Sequence, residues 1–442
     1  MPSMPSILST PRFLAAATAL ALVTACGLLD TQQPDIVDPG NLDNPEGAIA
    51  KATGARAQFA LAKDGDGDLD EGVTEGEVLL SGLMADEFVL STTPPTEQEI
   101  DQLKVSTLNG SLSAIFLYLH RARAAAEDAS ESLRKFGVDP DTDPLIPEMQ
   151  DLAGFTYIYF AEDYCSGVPI SRVRGDSLIF GNPETTDQLL NRAIAQFDSA
   201  IAHPAITGEL TDLASVGKAR ALVDLGQFAA AASAVAGVPS DFQFLSEHDD
   251  SPASLRNAIF GYTTGFLWSI PDAEGGNGLP YLTANDPRVP YRDEGTTGLD
   301  NTTPQFTLLK YANPGDSVVV ADGIEARLIE AEAQLQAGNT GGMRTILNNL
   351  RALVSLSPLP VPATTTEAED MLFSERAFWL FSTGHRLGDM RRLIRQYGRA
   401  ADTVFPVGAY LKGGVYGTDV NLPIPVEELN NPNSQGCLDR NP

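Results

Sequence analysis

Four groups of residues in this 442-residue chain are of types that do chemistry: a run of acids, four histidines, three cysteines and one concentration of aromatic rings. Asp64, Asp66 and Asp68 alternate with glycine, and Glu75 stands twelfth counting from Asp64. Carboxylates at positions 1, 3, 5 and 12 are the ligand spacing of an EF-hand calcium loop. Leu69 occupies position six, where the sharp turn needs glycine. The stretch therefore also reads as a solvated acidic loop, and that reading is preferred. Ca²⁺ is the one cofactor the sequence offers. The histidines, His120, His203, His248 and His385, lie in no H-E-x-x-H, and there is no G-x-S-x-G. Ser215 and Lys218 keep S-x-x-K spacing but fall inside a helical repeat. With 59 acidic residues, carboxylate pairs for glycoside hydrolysis can be nominated anywhere and single out nothing.

The cysteines divide. Cys26 closes Val23-Thr24-Ala25-Cys26 after an apolar run from Phe13 to Val23. That run is too short for a bilayer, which needs about 20 apolar residues, and fits the apolar core of a secretory signal. The ending resembles a bacterial lipobox. It predicts a signal peptide over 1–25, lipid attachment (palmitate) at Cys26 and a polar tether over 26–44. Cys165 and Cys437 then sit in an oxidising compartment, where they either pair or remain separate thiols. Pairing would pin the C-terminal tail to a helix end.

The aromatic concentration is Tyr262, Phe266, Trp268, Tyr281 and Tyr291. A sugar ring offers an apolar C–H face that stacks on an aromatic face, while its hydroxyls need polar partners. Asn277, Asn285, Asp286 and Arg288 are close in sequence. For any one of these rings a core position is the commoner outcome; as a set they mark a ligand-binding lobe.

The elements that must position these groups are mostly helices. Apolar residues recur at three- and four-residue spacing over 111–136 and 146–164. Thr185 and Gln188 have capping-box spacing, as do Thr366 and Glu369. Paired helices are predicted at 213–225 with 228–236 and at 322–337 with 341–354. Each pair is alanine-rich and broken at a Gly-containing turn, like a tetratricopeptide hairpin, but they do not recur at that family's 34-residue period. A further helix runs over about 385–397. Two regions lose the period: 64–101, and 238–320, which holds eight prolines and the concentration of aromatic rings. The scaffold is thus about 45–237 and 321–442, with the lobe between.

Net charge is −30, which disfavours nucleic acid and anionic head groups as partners, so no nucleic acid is expected. Ordered segments carry a more specific likeness. Phe155–Tyr164 runs into Gly167-Val168-Pro169-Ile170. Glu375-Arg376-Ala377-Phe378-Trp379-Leu380 is followed by Gly384-His385-Arg386 and Asp389-Met390-Arg391-Arg392. Leu422-Pro423-Ile424-Pro425 precedes Glu428 and Asn431-Pro432. With the lipobox and tether, this series resembles the SusD/RagB family of nutrient-binding outer-membrane lipoproteins. Leu387-Gly388 departs from the family's aromatic pair, and Trp379 stands where glutamate is usual.

The resemblance implies a mainly α fold, with scattered tetratricopeptide-like pairs in a right-handed superhelical scaffold and a loop-rich binding lobe. It implies no catalysis. The protein would sit in the outer membrane, exposed at the cell surface, bind glycan or peptide oligomers and pass them to a SusC-type TonB-dependent transporter. The charges of the matched helices, Glu375, Arg376, Arg386, Asp389 and Arg392, read as interhelical ion pairs that fix geometry. The alternatives are a periplasmic tetratricopeptide-like scaffold binding only proteins and, less favoured, a surface-anchored glycoside hydrolase.

Overall fold

The computed structural model describes residues 42–69, 74–174 and 177–442. The signal segment, Cys26 and all but the last residues of the tether lie outside the described residues. Residues 44–442 form one compact body. It is mainly α, about half helical, with thirteen helices among the described residues.

The helices are α1 (Pro45–Asp64), α2 (Glu77–Met84), α3 (Pro95–Asp101), α4 (Gly110–Phe136), α5 (Leu145–Asp163), α6 (Thr186–Ile201), α7 (Gly208–Asp224), α8 (Phe228–Val235), α9 (Ala258–Thr264), α10 (Gly323–Gln336), α11 (Thr340–Leu353), α12 (Thr365–Trp379) and α13 (Arg386–Arg395). Consecutive packing partners are α1–α4–α5–α6–α7–α8–α10–α11–α12. Small residues permit the close approaches. A β-carbon on Gly154 of α5 or Gly217 of α7 would come within 2.6 and 2.4 Å of Phe197, the ring wedged between these helices.

The two predicted hairpins turn alike. Gly226 and Gly338 take the left-handed conformation with φ of 71° and 75°. Each donates its N–H three residues back, to Val223 and Leu335, and the following N–H reaches the carbonyls of Leu222 and Gln334. The Thr185–Gln188 capping box is present. The one predicted at Thr366–Glu369 is not: α12 begins earlier, with the Thr364 hydroxyl accepting from the Glu367 N–H. The 64–101 region is also not irregular throughout. It contains α2, which the periodicity misses because every residue is buried, and the short, charged α3.

Strands are brief and pair antiparallel in twos: β1 (Val89–Leu90) with β7 (Trp268–Ser269), β2 (Val168–Pro169) with β5 (Pro183–Glu184), β3 (Arg172–Arg174) with β4 (Ser177–Ile179), β6 (Gln243–Ser246) with β10 (Val318–Asp322), and β8 (Tyr291–Thr297) with β9 (Pro304–Leu308). Lobe residues such as Ile259, Trp268, Tyr281 and Val289 join the same buried cluster as the scaffold, so the lobe has no separate core.

Charged side chains lock the scaffold. Arg376 Nε donates to Asp389 at 2.7 Å, and Arg392 reaches Glu332 and Asp389 at 2.5 and 2.6 Å. Arg386 pairs with Asp86 of the segment before β1 at 2.5 Å. Arg220 of α7 is held by Glu162 of α5 at 2.7 Å and donates to the Gly384 carbonyl. Glu375 turns instead to Arg288 of the lobe and Arg351 of α11, at 2.6 and 2.5 Å. Burial opposes ionisation of Asp389, but the flanking Arg376 and Arg392 guanidiniums overcome it and hold its carboxyl low. Breaking such a pair strands its partner in the interior, which costs about 3–5 kcal/mol. Cys165 and Cys437 are joined by a disulfide with 5.7 Å between Cα atoms. It fixes the tail where Cys165 and Ser166 already hydrogen-bond Leu422 and Asp439.

Candidate functional site

The four carboxylates of the predicted calcium loop are not gathered. Asp64 ends α1 with its oxygens taken by Lys63 at 2.6 Å, by Ser246 and by His248 at 3.2 Å. Asp66 folds back, its carboxylate accepting the Asp68 N–H and its own N–H reaching the Thr74 carbonyl. Glu75 turns away to hydrogen-bond Glu97 and Ser111. No cluster of three or more metal-ligating side chains occurs among the described residues. Gly65 and Gly76 pass so closely that a β-carbon on Gly65 would lie 2.2 Å from the Glu75 carbonyl, and from this crossing the Asp64 and Glu75 side chains turn to different partners.

The five predicted stacking rings separate into two kinds. Trp268 and Tyr281 are 0% exposed and cannot offer a face to a ligand. Trp268 lies between Phe88 and Tyr262, with centroids 6.1 and 5.5 Å away, and Tyr281 is edge-on to Phe378 and Phe381 at 5.2 and 4.9 Å. They link the lobe to β1 and to α12. Tyr291 is half-buried, its hydroxyl spent on the Leu282 carbonyl and its ring on Phe306. Tyr262 and Phe266 remain, half-buried and four residues apart.

These two are placed by the end of α9. Asn257 caps that helix by accepting the Phe260 N–H, and Gly265 closes it. Phe266 then takes a φ of 63°, in the left-handed region costly for an aromatic residue. The distortion is held from three sides. The Phe266 carbonyl accepts the Ser91 hydroxyl and the Leu299 N–H at 3.2 and 3.3 Å. The Leu267 carbonyl accepts the Ser91 N–H at 2.9 Å. Buried Gln305 ties the Thr263 and Trp268 carbonyls together and accepts from Ser91. Gly298 is required here, since a β-carbon would lie 2.4 Å from Ser91.

Around the rings lie Leu299, 57% exposed, and Leu69, 44% exposed, which packs on Gly261 and Gly265. Asp300 accepts from the Thr302 and Thr303 N–H groups and pairs with Lys412 at 2.8 Å. Against the opposing effect of burial, Lys412 and these donors hold its carboxyl at about 2. Half-buried Tyr262 and Phe266 and exposed Leu69 and Leu299 are the apolar groups this braced segment leaves toward solvent, with Asp300 and Asn301 next in sequence and Lys412 joined to Asp300. Leu69 and Leu299 carry no aromatic signal; only their placement among loop residues hinted at them.

The other candidate groups have structural surroundings. His248 and Ser246 both meet the same Asp64 oxygen, so no serine hydroxyl is relayed through histidine to acid. His120 is buried against Phe116 and Phe160, where desolvation holds it neutral. His385 is kept neutral by burial and by Arg220, 2.9 Å away. Ser215 and Lys218 sit on α7, and Lys218 pairs with Asp198 at 2.6 Å. Glu75 and Glu97 touch directly, closer than the roughly 5 Å at which glycosidase carboxyls flank a bond.

The fold defines a class: a scaffold of helical hairpins carrying a loop-rich lobe. Solved structures with this fold are similar to this chain over nearly its whole length. A SusD superfamily protein from Bacteroides thetaiotaomicron is 14% identical with a TM-score of 0.67, covering 90% of this chain and 100% of its own. Surface glycan-binding protein A from the same organism, solved with laminarihexaose, is 15% identical with a TM-score of 0.67, covering 90% and 99%. A SusD superfamily protein from Parabacteroides distasonis is 14% identical with a TM-score of 0.67, covering 88% and 98%. No family model and no curated protein matches the sequence. The chain has the SusD-like fold.

Proposed function

We propose that this chain is an outer-membrane lipoprotein of the SusD/RagB family. It is a non-catalytic binder that holds an oligosaccharide at the Tyr262–Phe266–Leu299 face and passes it to a SusC-type TonB-dependent transporter. The observation that carries the reading is the end-to-end fold likeness to a glycan-binding protein solved with laminarihexaose. The face adds a physical reason: two rings and two leucines suit the C–H faces of sugars, and backbone strain at Phe266 is held by neighbours on both flanking segments. The lipobox at Cys26 supports the anchor, and the ordered C-terminal motifs support the family. Partnership with a transporter rests on the family resemblance.

The test is affinity electrophoresis of the mature chain through gels containing neutral polysaccharides, beside Phe266→Ala and Tyr262→Ala. Retardation of the parent by at least one glycan, lost in both variants while thermal stability is kept, is the expected result. A protein that no glycan retards would overturn the reading. Co-purification of a large β-barrel with the detergent-solubilised, lipidated protein tests the transporter separately.

A further inference from the structure

Resting on that reading, we infer that the lobe is selective for uncharged oligosaccharides and discriminates against glycans bearing uronate, sulfate or phosphate groups. The lobe is poor in cations. Between residues 238 and 320 there are eleven acidic residues and four basic ones, Arg256, Arg288, Arg292 and Lys310. An anionic sugar needs a guanidinium or ammonium with donors to spare, since a carboxylate or sulfate entering without one loses its water uncompensated.

Arg288 and Lys310 are buried and committed, Arg292 is paired at the surface, and Arg256 keeps its terminal donors in a loop whose Asp249 and Asp250 offset its charge. Arg288 is buried between Asp286 and Glu375, at 2.7 and 2.6 Å, beneath the Phe378 and Trp379 rings. Arg292 folds onto Glu294 at 2.6 Å. Lys310 is directed inward to the Phe381 carbonyl at 2.6 Å. Arg256 is turned by its Nε onto the Asp250 carbonyl at 2.9 Å, within a loop that also carries Asp249. Lys412, which reaches Asp300 from outside the lobe, is neutralised by it and bonded to the Thr92 carbonyl.

Acids approach the face from the opposite side. Asp66 and the Glu75–Glu97 pair lie near the Tyr262 hydroxyl; burial and the bond to Glu97 lift Glu75 to about 8, so at neutral pH the pair, bridged by Ser111, carries one negative charge and Asp66 another. A chain of net charge −30 extends that field beyond the site. Neutral sugars are unaffected by it.

The experiment compares one glycan with its own charged derivative. A neutral polysaccharide that retards the chain, with laminarin as the first probe, is tested beside its carboxymethylated form by calorimetry at low and high salt. Weaker binding of the carboxymethyl form is expected, by roughly fivefold for each carboxylate brought within about 4 Å of an acid at low salt. The gap should narrow as salt screens the repulsion over about 10 Å at 0.1 M and less above it. Equal or tighter binding of the charged form, weakened by salt, would overturn the inference while leaving oligosaccharide binding in place. If neither form of any glycan in the panel binds, the proposed function itself fails and the inference with it.

Discussion

Asp163 ends α5 fully buried, hydrogen-bonded to Glu77 of α2, and neither of its carboxylate oxygens nor Glu77 Oε1 meets a donor side chain or backbone N–H among the described residues. Two carboxyls in contact in the interior must share at least one proton. Burial, then the neighbouring Glu77 and Glu162 charges, push Asp163 well above the usual range, and burial lifts Glu77 to about 8. In the unfolded chain the same groups release protons near 4. The native state therefore binds more protons than the unfolded state above that point, and stability falls as pH rises until the native pair itself ionises. One retained proton costs about 1.4 kcal/mol per pH unit, or roughly 4 kcal/mol from pH 5 to pH 8 as a ceiling. Asp163→Asn replaces the shared proton with a fixed N–H donor toward Glu77 and removes one titrating group. Relative to the parent, the variant should be within about 1 kcal/mol at pH 5 and more stable by about 1–3 kcal/mol at pH 8. Urea unfolding at the two pH values measures this. An equal stability difference at pH 5 and pH 8 would refute the shared proton.

Other expectations follow from the packing. Trp268→Ala should cost about 3–5 kcal/mol in urea unfolding, because it empties the contact between lobe and β1, whereas Phe266→Ala should cost far less. Arg376→Met leaves Asp389 with Arg392 alone in the interior and should destabilise by about 3–5 kcal/mol, read by the same assay. Reduction of the Cys165–Cys437 bond should cost about 2–4 kcal/mol and expose the last twenty or so residues to limited proteolysis before the helical body is cut. Millimolar calcium should leave the melting temperature unchanged, since Asp64 is committed to Lys63, Ser246 and His248; a rise of several degrees would show that the acidic loop does gather its carboxylates.

The long helices were legible because their apolar stripes repeat at 3.6 residues, and the two hairpins because glycine stands at each turn. Segments whose surroundings are uniform were not legible. Helix α2 is buried on every side, so it has no polar face to reveal a period. The EF-hand spacing counts residues, whereas the ligands of a real loop depend on side-chain direction, and here Asp64 turns to Lys63 and Glu75 to Ser111. The aromatic set marked a lobe in the sequence but not which of its rings are buried. Trp268 and Tyr281 are the largest apolar surfaces near the joints with β1 and α12, and so they were taken into the core. Leu69 and Leu299 reach the face through loop geometry, which leaves no pattern in sequence.

The acid surplus is divided unevenly between interior and surface, and the division bears on ligand choice. In the interior, Asp389 and Glu332 are matched by Arg376 and Arg392, and Asp86 by Arg386, so these charges fix the relation of α10, α12 and α13 to the segment carrying β1. Arg288, the most buried guanidinium of the lobe, is spent on Asp286 and Glu375. The same guanidinium placed at the surface would have served an acidic sugar. The arginines that orient the lobe on its scaffold are therefore unavailable for recognition. What remains at the face is apolar surface, hydroxyl-compatible acids and a neutralised lysine, a combination that favours ligands whose polarity lies in hydroxyl groups.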